Sequence, residues 1–301
     1  AWHGLGTVLD EHVTTAEFIK LAGMDWQVLE QPVCLPDGRT IEGYKALVRS
    51  DNGRVLNIAS DNYVPLQNIE AFRWFDPFIQ DGDLRLVAAV SLRGGKRIAL
   101  TAEFTQQCRA EVVRGDEVEL KLVLYNSHDG TLAAGIRFSP TRVVCNNTLA
   151  MVVNESRSLK FEGRDVAMDE RTAKSRHSRN LKQNLEYFRE CISLQKRQFF
   201  TELVPQYQAM TSKSMGIEAF RSYLEKVYQK PSDSIRDYNN LVFAYEFGIG
   251  QEKVAGTVWA GYNALTQVLT HKPNSKDSLL FGRHQQMLQR AHQEALALTR
   301  K

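Results

Sequence analysis

His128, Asp129 and Gly130 stand together in the stretch LYNSHDGTLAAGIRFSPTRVVCNNTL, residues 124–149. Fourteen residues after His128 comes Arg142, followed by Cys145, Asn146 and Asn147. A cysteine, a histidine and a carboxylate are the residue types of a thiol triad: nucleophile, base and orienting group. The same types also build turns. Asp-Gly suits a tight hairpin because glycine takes positive φ at little cost. Asparagine bonds neighbouring backbone groups and tolerates left-handed geometry. Cys145 lies among apolar residues in RVVCNN, a setting that favours a buried structural thiol over a reactive one. Turn chemistry therefore reads His128, Asp129, Gly130, Asn146 and Asn147 as a structural motif, in which His128, Asp129 and Asn146, with Arg142, are expected to order a sheet-to-helix junction. Asn146-Asn147 is expected to end a strand and cap a helix starting near Thr148.

Metal and nucleotide chemistry finds less in the chain. His3, His12, His128 and His177 stand apart. His284 and His292 are two helical turns apart with Leu288 between them, so no face collects the ligands that a zinc site needs. GLG at 4–6 and RGGK at 93–96 complete neither a phosphate loop nor a dinucleotide fingerprint and read as turns. No cofactor and no metal are expected.

The cations carry a stronger pattern. Between Arg171 and Arg197 lie Arg171, Lys174, Arg176, Arg179, Lys182, Arg189, Lys196 and Arg197, against Glu186 and Glu190. This local excess of +6 sits in a chain whose net charge is +3. Leu181, Leu185, Phe188, Ile192 and Phe199 fit one helix face, with Arg176, Arg179 and Arg197 opposite. Such a stripe is either the footprint of phosphate binding or a solvated face. Arg85, Arg93, Lys96 and Arg97 cluster at a hairpin, and Arg137 and Arg142 flank the opening stretch. Trp74, Phe75, Tyr125 and Phe138 supply aromatic neighbours on which single-stranded bases could stack. The expected nucleic-acid contacts are Arg93, Lys96, Arg97, Arg142, Arg171, Lys174, Arg176, Arg179 and Lys182.

The elements that must position these residues read as an α+β fold. The chain has 301 residues, 43% hydrophobic and 24% charged, as in globular proteins. No run of about 18 apolar residues exists, so no membrane helix is expected. The four cysteines are widely spaced with no CxxC pair, which suggests a reducing, cytoplasmic setting. The chain begins with Ala rather than Met, so preceding residues are expected. Thr14 with Glu17 predicts a capping box and Gly23 a C-terminal cap. Pro36-Asp37-Gly38, Asp51-Asn52-Gly53 and Arg93-Gly94-Gly95 predict hairpin turns. Residues 68–79 have helical spacing. EVELKLVLYN alternates, placing Val118, Leu120, Leu122 and Leu124 on one face. Pro140 is expected to break the strand TLAAGIRFS. From about residue 168 the pattern turns helical. Residues 1–153 thus predict a hairpin-rich antiparallel sheet with packed helices. Residues 154–301 predict a mainly helical region with a basic helix.

AWHGLG, LAGMDWQV, LNIASDNYVPLQNIEAF, SLRGGKRI, LYNSHDG and RVVCNNTL occur in this order. With these motifs the chain resembles the phage/plasmid-like protein family, strongly over about residues 1–150 and loosely beyond. The resemblance implies a mobile-element setting, in phages and plasmids, and carries no catalytic residue with it. By analogy of setting and coarse fold it suggests the single-strand annealing recombinases of phages, which form rings or filaments and anneal without a metal. The leading expectation is a protein that binds or anneals single-stranded DNA. One alternative is an enzyme on a nucleotide or protein partner, centred on His128, Asp129 and Cys145. The other is a non-catalytic anti-defence protein that binds another protein, favoured by an exposed Trp259 or Tyr262.

Overall fold

The computed structural model describes residues 14–105, 108–132, 135–149, 158–161, 164–167, 172–174, 181–272 and 276–300. Packing divides the chain into two units that interleave in sequence. The first comprises residues 1–106, 122–137 and 172–190, and the second comprises 107–121, 138–171 and 191–301.

The chain enters the first unit through α1 (Thr15–Leu21), opened by the predicted capping box between Thr14 and Glu17. Gly23, at φ +64, closes it in the left-handed region. Its N–H donates to the Lys20 carbonyl and that of Met24 to Ile19, so the last carbonyls are satisfied. Strands β1 (Val28–Cys34), β2 (Thr40–Arg49) and β3 (Val55–Ser60) follow as an antiparallel meander turned at Gly38 and Gly53. The predicted single helix over 68–79 is instead three pieces. These are α2 (Asn68–Phe72), a 3₁₀ turn Arg73–Phe75 and α3 (Asp76–Gln80). Pro77 has no N–H for the Arg73 carbonyl, so the ladder stops there and restarts with Pro77 in the first turn of α3. Hairpin β4 (Leu84–Leu92) and β5 (Arg97–Phe104) completes this part, with Phe18, Phe72, Phe75, Leu47 and Leu100 in its core.

The larger sheet also takes β6 (Arg109–Val113), β7 (Asp116–Ser127), β8 (Gly135–Arg142) and β9 (Asn147–Thr148). A separate hairpin, β10 (Ser158–Phe161) with β11 (Arg164–Ala167), precedes β12 (Thr172–Lys174). The sheet order is β12-β8-β7-β5-β4, with β6 on β7 and β9 on β8; β7 and β8 carry residues of both units. Four expectations need correction here. First, β7 is buried on both faces, not one. Glu119 and Lys121, on the face expected to be polar, are each 7% exposed, because they pair with each other at 2.8 Å and Glu119 also takes Arg109. Second, β8 runs through Pro140. The Pro140 carbonyl accepts from Leu149, so the ring costs one donor toward a two-residue neighbour and nothing more. Third, no helix starts at Thr148, which pairs with Thr141 in β9. Fourth, strand structure continues past residue 153, to Lys174.

The helices are α4 (Leu181–Gln198), a π-helical turn Phe199–Leu203, α5 (Val204–Thr211), α6 (Ile217–Tyr228), α7 (Tyr238–Phe247), α8 (Val258–His271), α9 (Lys276–Phe281) and α10 (Arg283–Thr299). In the second unit α8 is the central helix. Its residues from Val258 to Thr266 are all buried, and the polar ones bond within the helix, Asn263 donating to the Trp259 carbonyl and Thr266 to that of Asn263. Trp259 and Tyr262, candidates for an exposed groove on sequence, are 0% exposed. They pack with Tyr207 and His292 at ring distances of 4.9 to 6.2 Å. Burying each such ring contributes about 2–3 kcal/mol, and no exposed aromatic surface is left on this face of α8.

Candidate nucleic-acid interface

Three turns of the first unit converge on the glycine pair of the β4–β5 hairpin. The β2–β3 turn is fixed by Arg54 N–H donating to Asn52 Oδ1 at 3.0 Å and by Arg49 N–H donating to the Arg54 carbonyl at 2.9 Å. Arg49 grips Asp51 through two hydrogen bonds of 3.0 and 2.6 Å, and these hold the Asp51 carboxyl below its usual range. The same guanidinium donates to the Gly94 carbonyl at 3.1 Å and lies 4.3 Å from the centre of the Trp26 ring. The third turn joins through the His128 N–H, which donates to the Lys96 carbonyl at 2.8 Å.

The glycines permit this convergence. Arg93, Gly94 and Gly95 take φ of +52, +69 and +99, three consecutive residues in left-handed space. A Cβ on Gly95 would fall 3.0 Å from Cδ and Nη1 of Arg49 and 3.1 Å from Cζ2 of Trp26; one on Gly94 would collide with the Arg54 guanidinium. Two guanidinium groups are thus packed against one bare stretch of backbone.

At the third turn Arg97 donates through Nε and Nη2 to Thr131 Oγ1, at 3.2 and 3.0 Å, and lies 3.9 Å from Asp129. Thr131 in turn donates its N–H and hydroxyl to Asp129 Oδ1. Burial alone would raise the Asp129 carboxyl. The Thr131 hydrogen bonds and the Arg97 charge outweigh that, and its pKa is lowered. The turns 49–54, 93–97 and 128–131 together hold Arg49, Arg54, Arg93, Lys96 and Arg97 against Asp51 and Asp129, a local excess of +3.

Beneath the turns His128 is fully buried, with Trp26 edge-on at 5.3 Å. Its tautomer follows from its neighbour. Asn68 donates its amide N–H groups to the carbonyls of Met24 and Trp26, so its Oδ1 faces His128 Nε2 at 2.8 Å, and Nε2 carries the proton. Nδ1 is a bare acceptor without a partner among the described residues, and so is the Trp26 N–H as a donor. Desolvation dominates and lowers the His128 pKa to about 4, so the ring is neutral near pH 7. Cys145 belongs to the second unit, buried, with its thiol pushed up by desolvation. Asp129 is engaged by Thr131 and Arg97, and His128 by Asn68. The thiol-triad residue types are therefore each committed elsewhere.

The nucleic-acid candidates divide by placement. Arg93 is exposed, Lys96 half-buried and Arg97 buried. Arg142 is corrected to an interior residue. It is 0% exposed, its Nε and Nη2 donate to Asp116 at 2.8 and 2.6 Å, and Nη2 also reaches the Gly250 carbonyl. A guanidinium so satisfied offers nothing to a phosphate. Asn146 takes φ +52 at the β8–β9 turn, and Asn147 Oδ1 meets His271 Nε2 at 3.0 Å. Gly130 turns the chain at φ +71. Arg171, Arg176 and Arg179 lie outside the described residues; Lys174 is in β12 and Lys182 in α4, with their side chains outside them. Farther along α4, Arg189 pairs with Asp81 at 3.0 Å and Arg197 is exposed. Sequence reasoning missed Arg49, Arg54, Trp26 and Asn68, whose partners lie from 23 to 102 residues away across the fold.

Among the described residues no group of three His, Cys, Asp or Glu could hold a metal ion, and no helix is long and apolar enough to cross a membrane. A family model described as Domain of unknown function (DUF932) matches residues 55–298. No curated protein and no solved structure matches the chain.

Proposed function

We propose that this chain, which belongs to the DUF932 family, binds nucleic acid through the three cationic turns of its first unit. Single-stranded DNA is the preferred ligand, and annealing of strands during mobile-element recombination is the activity. The observation that carries this reading is the meeting of five cations and two carboxylates around Gly94 and Gly95. Concentrated positive charge on exposed turns attracts a polyanion and releases its counterions. The basic segment 171–197 adds a second source of positive charge. Annealing would draw on several copies bound along a strand, so a ring or filament belongs to the proposal.

The test is binding of a fluorescent oligonucleotide of about forty nucleotides, single- and double-stranded, across a salt series. If Arg54, Arg93 and Lys96 each meet a phosphate, log K should fall with log salt with a slope of about −2 on a single strand. Preference for the single strand, followed by faster pairing of complementary strands, supports the reading. No binding at low salt, or binding indifferent to salt, overturns it.

A further inference from the structure

Of the two guanidinium groups packed on the glycine pair, Arg54 is distinguished by what it lacks. Arg49 is committed to Asp51 and the Gly94 carbonyl, and Arg97 to Thr131 and Asp129. Arg54 is exposed, and its guanidinium has no carboxylate or carbonyl partner among the described residues. Yet its position is defined. The group lies against Gly94, where a Cβ would collide with its Nη1, Cζ and Nε. Arg49 occupies the adjoining face at Gly95. Two like charges are therefore held side by side on a glycine pair, and one of them has no counter-charge. A guanidinium without such a partner offers planar, paired donors to an anion of matching geometry.

We infer that Arg54, braced on Gly94 and flanked by Arg49, is the seat of a single phosphate group, and that the ligand is the phosphodiester backbone of nucleic acid. The ligand's identity rests on the function proposed above; the anion seat does not. The phosphate oxygens accept two parallel N–H bonds from Arg54. Arg49 adds charge without leaving Asp51. Gly94 makes room for the seat, since any side chain there would displace the guanidinium.

The experiment compares Arg54→Ala, Arg54→Lys and Arg39→Ala. Arg39 is an exposed arginine on the β1–β2 turn, paired with Asp37, so its removal changes net charge equally. Two probes are used on the full chain: an oligothymidylate, and inorganic pyrophosphate followed by arginine side-chain N–H resonances. Arg54→Ala should weaken oligonucleotide binding about tenfold and reduce the salt slope by about 0.7, one phosphate's share on a single strand. Arg54→Lys should restore the slope but not the full affinity, because a point charge replaces a fork. Arg39→Ala should change neither, and all three should melt with the parent. Equal effects of Arg54→Ala and Arg39→Ala overturn the inference. Pyrophosphate shifting an arginine resonance that Arg54→Ala removes, with no oligonucleotide bound by the parent, keeps the anion seat and overturns the nucleic-acid reading. Neither probe binding overturns both.

Discussion

Replacing Asp116 by Asn tests whether Arg142 is an interior brace. The Arg142 and Asp116 side chains are each 1% exposed, and the carboxylate satisfies three donors: Nε and Nη2 of Arg142 and Nε1 of Trp259 at 2.9 Å. Asparagine keeps the shape, removes the charge and turns an N–H₂ toward groups that are themselves donors. The Ile249 and Gly250 carbonyls remain, but a neutral acceptor pair does not compensate a buried guanidinium. Breaking a buried pair from one side costs about 3–5 kcal/mol. With a urea dependence of about 2–3 kcal/mol per molar, the midpoint should fall by roughly 1–2 M. The double variant Asp116→Leu with Arg142→Met removes both charges at similar volume; it leaves the Trp259 N–H without its acceptor, so it should recover only to within about 1–3 kcal/mol of the parent. It should also keep the parent's affinity for oligonucleotide, since Arg142 makes no surface contact. A loss below about 1 kcal/mol in Asp116→Asn, or a double variant weaker than the single, refutes the reasoning on energetics. Lost oligonucleotide binding in a stable double variant refutes it on function.

Gly95→Ala forces a side chain to φ +99 against Arg49 and Trp26; a stability loss of about 1–3 kcal/mol in a thermal melt, together with weakened oligonucleotide binding, is expected. His128 titrates at about 4 in the folded chain against 6.5 ordinarily, so the unfolded chain binds more protons between those values. Stability should be full above pH 6.5 and decline as pH falls toward 4, by about 3 kcal/mol in all. Urea midpoints of the parent and His128→Asn across that window should diverge; parallel curves would contradict the assignment. Thr14→Ala removes the capping box of α1 and should cost about 1 kcal/mol, read from the same denaturation curves.

The chain's local signals were legible because local chemistry dictates them. Thr14 with Glu17, Gly53 after Asp51-Asn52, and the Arg93-Gly94-Gly95 turn each occur as their residue types require. The apolar setting of Cys145 likewise foretold its burial. What sequence spacing could not give was pairing at a distance. Arg142 looks like any other cation of the chain until Asp116, 26 residues earlier, is placed beside it. Trp259 and Tyr262 carry no mark that α8 is covered on every side. Glu119 and Lys121 made β7 look half-solvated because alternation reports polarity, and paired charges inside are polar too. The cationic site was half visible. Arg93, Lys96 and Arg97 were identifiable as a cluster, but Arg49 and Arg54 join it only through the register of β2 with β3.

The charges within β7 have a meaning that begins before the protein is folded. LKLVLYN would be an adhesive segment if it emerged alone, and one partner of β7 arrives late. Trp259, which closes over Asp116, is synthesised 143 residues afterwards. At about 5–20 residues per second, that leaves the strand waiting on the order of ten seconds. On an uncovered strand Asp116, Glu119 and Lys121 would face water, where ionised groups are cheap and neighbouring chains are repelled. In the folded chain Asp116 takes Arg142, 26 residues downstream, while Glu119 takes Arg109 and Lys121, both near it in sequence. They would guard a nascent strand as well as serve as interior partners in the folded one.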